Sequence, residues 1–156
     1  MNSESLLNNL IKQGKLKKQN TSLEYLDGLL MASNENFTAA KKILDQELHV
    51  VAFKTVYDGI LQIARVVLLI NGYRPDDGEQ HKTTFLVASI LLEEDFKDLI
   101  KRIDLYRIKR NNCVYQPLIP ISKRESQDII ELAEEFWRKV KTYLKAKDPR
   151  LKLFDF

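Results

Sequence analysis

One cysteine, two histidines, four prolines and five glycines are all that 156 residues contain, and each scarcity removes a class of function. A lone Cys113 excludes an internal disulfide and a cysteine-based zinc site, and it fits a reducing compartment. His49 and His81 stand outside any HExxH or similar spacing, so no catalytic metal is expected. The longest apolar run, Val66 to Ile70, is far too short to span a bilayer. The start, Met-Asn-Ser-Glu-Ser, lacks the basic residues and apolar stretch of a signal peptide. P-loop, GxGxxG, GxSxG and EF-hand patterns are missing too. The expectation is a cytoplasmic protein with no cofactor, no metal and no membrane.

Few glycines and prolines suit few turns and long helices. With 44% apolar and 30% charged residues the balance is that of a single compact domain able to bury a helical core. The net charge of +3 is too small to argue for nucleic acid by itself. Lys12, Lys15, Lys17 and Lys18 form one basic cluster, and Lys139, Lys141, Lys145, Lys147, Arg150 and Lys152 another. Both read as solvated faces and helix C-termini.

Apolar periodicity predicts a short helix over about 5–13, with a lysine-rich connector running to residue 20. A second begins after Thr21 or Ser22 as N-cap and breaks or bends at Ser33-Asn34, and the next runs over 35–48. The central helix, about 50–71, is apolar on most sides and should be the buried spine, with one polar stripe at Thr55, Asp58, Gln62 and Arg65. Gly72 closes it and Pro75 prevents its continuation. A polar loop over 74–80 leads to a helix from His81 to about Leu92. Glu93-Glu94-Asp95 is expected to open the following helix, which Pro117 and Pro120 end by Gln116. Ser122 and Glu125 have the spacing of a capping box for a last helix. No segment alternates as a strand, so the fold class is all-α, a bundle of five to six helices. The expected organisation is an N-terminal helix and basic connector over 1–20, a bundle over 21–150 and a tail over 151–156.

The helix before Pro117 carries an anomaly. Its apolar stripe runs Phe96, Leu99/Ile100, Ile103, Tyr106 and then, at helical spacing, reaches Arg107 and Arg110. A guanidinium stays charged, and burying it unpaired costs several kcal/mol, on the order of 3–5. This face therefore meets an anion, a carboxylate of the protein or the phosphate of a ligand, or both arginines lay their stems along the core edge and reach water.

In this order the segments resemble the HEPN family, small helical proteins named for higher eukaryotes and prokaryotes nucleotide-binding. The similarity covers roughly residues 35–146. It rests on Ala52-Phe53 and Tyr57-Asp58, on Asn-Gly-Tyr-Arg-Pro over 71–75, on His81, and on Arg107-x-x-Arg110-Asn111-x-x-x-Tyr115 before the capped last helix. The resemblance implies a four- or five-helix bundle that forms a homodimer, with the arginine motifs of two subunits facing a shared cleft. Catalytic members are metal-independent endoribonucleases whose arginine is followed four to six residues later by histidine. Others act as partners of a minimal nucleotidyltransferase, or within toxin–antitoxin and defence-type pairs.

Here Tyr115 stands where catalytic members have histidine. A tyrosine with an ordinary pKa of about 10 moves protons poorly at neutral pH, though it can stack on a base or bond a phosphate. The candidate binding residues are Arg107, Arg110, Asn111, Asp58 and Tyr115; the candidate catalytic ones are Arg110, Tyr115 and His81. Asn111 orients a phosphate or caps the neighbouring loop. Asp58 pairs with Arg110 across the bundle, or stays a solvated neighbour of Gln62 and Arg65. His81 substitutes for the missing histidine or is a surface residue at a helix start. Tyr57 and Tyr106 read as core aromatics with satisfied hydroxyls, and Cys113 as a small apolar residue.

Three functions follow as expectations. The first is a non-catalytic or weakly active protein binding RNA or a nucleotide phosphate, with an antitoxin-type partner. The second is a metal-independent endoribonuclease using Arg110 with Tyr115 or His81. The third is a structural partner of a nucleotidyltransferase, docking through exposed Leu6, Leu7 and Leu10 of the first helix.

Overall fold

A computed structural model describes residues 2–115 and 121–156. Six α-helices and one two-stranded ribbon account for most of them, as the all-α reading requires. In chain order these are α1 (Ser3–Lys12), β1 (Leu16–Lys18), α2 (Leu23–Asp45), α3 (His49–Ile70), β2 (Tyr73–Pro75), α4 (Gln80–Leu92), a 3-10 turn (Glu94–Phe96), α5 (Lys97–Tyr115) and α6 (Lys123–Lys147). Among the described residues no helix is long and apolar enough to cross a membrane.

Side-chain caps set several helix starts. The Asn2 side chain accepts from the Ser5 amide at 2.8 Å, and Ser22, not Thr21, caps α2 by accepting from the Tyr25 amide. The predicted capping box of α6 is present in both directions: Ser122 Oγ accepts from the Glu125 amide, and the Glu125 carboxylate accepts from the Ser122 amide. α3 is the spine, burying Phe53, Val56, Tyr57, Ile60, Ile63, Ala64, Val67 and Leu68 along its length. α2, α4, α5 and α6 all pack on it.

The expected break at Ser33-Asn34 does not occur. Ser33 is fully buried and its hydroxyl donates to the Gly59 carbonyl of α3 at 2.9 Å, while Asn36 donates to Gln62 at 2.8 Å. These polar residues, weak helix formers alone, bind the neighbouring helix and so hold α2 continuous. The absence of strands was also a misreading. β1 pairs antiparallel with β2 in the register Leu16↔Pro75, Lys17↔Arg74, Lys18↔Tyr73, so part of the basic connector is a ribbon strand. Each strand has three residues, too short for alternation to register. Gly72, at φ +85°, makes the turn into β2 that a side chain would resist.

Glu93-Glu94-Asp95 do not open α5. Glu93 has φ +64°, which interrupts the helical ladder, and the two acids after it belong to the 3-10 turn. The docking surface expected on α1 is absent as well: Leu7 and Leu10 are buried and only Leu6 is exposed. Pro117 and Pro120 lie outside the described residues. The tail over 151–156 folds back on the bundle, with Phe154 stacked on Trp137 at 4.1 Å and Phe156 against Phe37 at 4.5 Å.

Gly59 is where α2 and α3 come closest. A Cβ there would lie 2.6 Å from the Phe37 ring, which is itself fully buried between Gly59 and the tail. Gly59→Ala should therefore destabilise the protein by about 1–3 kcal/mol despite alanine's better helix propensity. Urea denaturation measures this, and an unchanged midpoint would mean that Phe37 has room to move.

Candidate functional site

α5 is fixed before its arginines are reached. Leu99, Ile100 and Ile103 are buried, Tyr106 meets Phe53 of α3 edge-on at 5.7 Å, and Arg102 and Lys109 pair with Glu135 and Glu125 of α6. One turn further, Arg107, Arg110 and Asn111 line a cleft of about 470 Å³. Its opposite wall is the loop and first turn of α4, from Asp77 to Lys82, including His81. The structure thus brings together four of the predicted residues, Arg107, Arg110, Asn111 and His81.

The two arginines differ. Arg107 Nε donates to Asp104 Oδ1 at 2.7 Å, with Nη2 at 3.5 Å from the other carboxylate oxygen, and its side chain is 14% exposed. The bond to Asp104 raises its pKa. Its anion is a carboxylate of its own helix. Arg110 has no such partner. Its guanidinium lies over the ring of Tyr57, 5.7 Å from the centroid, and its Nε is buried without a hydrogen bond among the described residues. A buried donor left unsatisfied costs about 1–3 kcal/mol, more for a charged group.

Tyr57 is the second support. It is fully buried in α3, with its ring against Phe85 and its hydroxyl 3.1 Å from His81 Nδ1. Burial pushes the phenol well above its ordinary pKa, against the pull of Arg110 and Arg107. The hydroxyl therefore stays protonated and holds Nδ1, donating to it or accepting from it according to the imidazole tautomer. Burial first, then the charges of Arg110, Arg65 and Arg107, hold His81 below its ordinary pKa, so it is uncharged at neutral pH. In this state the ring has one nitrogen engaged by Tyr57 and the other left for the cleft.

Asp58 forms no ion pair with Arg110 among the described residues. It is exposed, and its ordinary carboxyl pKa is raised by what burial it has while Arg110 pulls it down. Nor does Gln62 bond it among the described residues; the Gln62 side chain accepts instead from Asn36. The pair across the bundle reduces to a longer-range attraction. Tyr115 is the last residue of α5, so its backbone belongs to the final turn; its side chain lies outside the described residues. Cys113 is half-buried against the core.

Sequence reasoning placed Tyr57 in the core with a satisfied hydroxyl but missed that its partner is His81. It also missed the acidic wall of the cleft. Asp77 accepts from Thr83 at 2.7 Å and Glu79 pairs with Lys82 at 3.7 Å, so both loop carboxylates are occupied locally and not by Arg110. The run Asp76-Asp77-Gly78-Glu79 before a histidine was the available signal.

The cleft can accept an oxyanion between the Arg110 guanidinium and the side chains of Asn111 and His81. Removing the nearest positive charge should relax His81, so Arg110→Ala should raise the His81 pKa in an NMR titration; an unmoved value would mean that the guanidinium does not face the ring. A lowered folded-state pKa also sets the sign of a stability effect. Below about pH 6.5 the unfolded imidazole takes up a proton that the folded one resists, so stability should fall as pH drops through that range. His81→Asn should flatten this part of a denaturation-versus-pH profile. Compared with protein-family models, curated proteins and solved structures, the chain matches none.

Proposed function

We propose that the protein is a HEPN-like, cytoplasmic RNA- or nucleotide-phosphate-binding protein, non-catalytic or weakly active, working in a toxin–antitoxin or defence-type pair. The observation that carries this reading is the Arg110 guanidinium, seated on the Tyr57 ring with Nε unbonded beside an open cleft. A phosphate supplies the missing acceptor and the countercharge together, and charge-assisted bonds of this kind are among the strongest available. The neutral His81, with Nδ1 engaged by the Tyr57 hydroxyl, favours binding over proton transfer. Tyr115 in the family's histidine position favours the same.

A homodimer belongs to this reading. Leu105 is 67% exposed and Ile108 45% exposed on α5, and Leu86 of α4 is 47% exposed beside them. These exposed apolar side chains on the outer side of α5 and on α4 suit a contact with a second copy. The ribonuclease reading keeps one favourable observation: a histidine and an unpaired arginine share the cleft, and electrostatic stabilisation alone contributes several kcal/mol, about 3–4 per donor, to some barriers.

Wild type and Arg110→Ala incubated with mixed single-stranded RNA in EDTA, and resolved by gel shift and denaturing gel, separate these readings. The expected result is intact RNA in both and a shift that weakens at least about tenfold in the variant. Cleavage by wild type that disappears in Arg110→Ala would replace binding by a metal-independent ribonuclease. Equal binding by both proteins would remove Arg110 from the site.

A further inference from the structure

The polar stripe of α3 does not end at Asp58. It continues through Gln62 to Arg65, which the Arg110 cleft leaves unused. There a second hollow opens, of about 240 Å³, floored by Leu68 and Leu69 and walled by Tyr25 of α2 and by Tyr73 and Arg74 of the ribbon. Gln80 lines both hollows, so they adjoin across the first turn of α4. The charge of Arg65 reaches His81 in the first cleft, as those of Arg110 and Arg107 do.

The chemistry of this hollow is unspent. Arg65 is half-buried yet has no ion-pair partner among the described residues. Arg74 meets Asp76 only at 3.6 Å, and the ribbon register sets it directly opposite Lys17. Like charges at directly opposed positions of a ribbon repel, so this pairing is relieved by an anion lying between them. Tyr25 is 57% exposed, and neither its hydroxyl nor that of Tyr73 has a hydrogen-bond partner among the described residues. The side-chain amides of Gln19 and Gln80 are also free among those residues. Two guanidinium groups, two tyrosines, two amides and an apolar floor are the combination that a nucleotide uses: cations for phosphate, aromatic faces for a base, amides for its edge.

We propose that this hollow is a second nucleotide subsite, holding a phosphate on Arg65 and Arg74 and a base against Tyr25 and Tyr73, so that single-stranded RNA passes over Gln80 from one cleft to the other. The proposal rests on the anion reading of the Arg110 cleft and extends its ligand from one phosphate to a strand. The two hollows then divide the work. The Arg110 cleft grips backbone, while the ribbon hollow adds two tyrosine faces for stacking, which tolerates any base and gives affinity along the strand.

The test is the affinity of a short fluorescein-labelled oligouridylate, measured over a salt series for wild type, Arg110→Ala, Arg65→Ala and Tyr25→Ala. Tyr25→Ala should weaken binding about tenfold, the loss of one base–aromatic stack. Arg65→Ala should reduce the slope of log affinity against log salt by about 0.7, one single-strand phosphate contact. Tyr25 is exposed, so its variant keeps the test decisive if Arg65→Ala unfolds in a circular-dichroism melt. Wild-type affinity in Tyr25→Ala and a wild-type slope in any folded Arg65→Ala, with Arg110→Ala still weakened, would overturn the second subsite and leave the first cleft standing. Absence of binding by wild type itself would overturn both.

Discussion

Everything in this bundle answers to the burial of α3. A helix with apolar side chains on most of its circumference is stable only when neighbours cover nearly all of it, and α2, α4, α5 and α6 do so. The few polar groups on α3 must then find an exit or a partner. Ser33 and Asn36 of α2 meet the Gly59 carbonyl and Gln62; the Tyr57 hydroxyl meets His81. The candidate site therefore lies where the spine's polarity emerges between α4 and α5. Its geometry follows from a packing requirement, since a buried phenol without a partner would cost about 1–3 kcal/mol.

Two arginines one turn apart on the same helix have unlike fates because a carboxylate pairs with one and, among the described residues, none pairs with the other. Asp104 is three residues before Arg107 and satisfies it in place. The residue three before Arg110 is Arg107 itself, so a local pair is unavailable, and the loop carboxylates are held by Thr83 and Lys82. One guanidinium of the cleft thus lies on an aromatic face, an arrangement that keeps the ion only partly hydrated and open to an incoming anion.

The helices were legible because long apolar periodicities and caps are local signals. The central spine, the Ser122–Glu125 box and the Gly72 turn all appear at the expected places. What was illegible depended on partners distant in sequence. Ser33 looks like a breaker until Gly59 is placed opposite it, and β1 is invisible until Tyr73–Pro75 comes alongside. For the site, the stripe position marked Arg107 and Arg110 as charges set on an inward face, and Arg107 does meet a carboxylate there. It could not say that Asp104 claims the first and that Asp58 stays too far to claim the second. Tyr57 was readable as core, but its bond to His81 joins helices that only tertiary packing brings together.

The C-terminal tail gives the molecule a built-in optical reporter. Trp137 is the single tryptophan, and it is nearly buried; its indole lies flat against Phe154, with planes 6° apart, and its Nε1 donates to the Phe154 carbonyl at 3.0 Å. Lifting the tail would wet the indole and remove that acceptor while leaving α6 helical. Emission wavelength therefore follows the seating of the last residues, and far-ultraviolet ellipticity follows the bundle. Two signals from one sample distinguish loosening of the tail from loss of the fold.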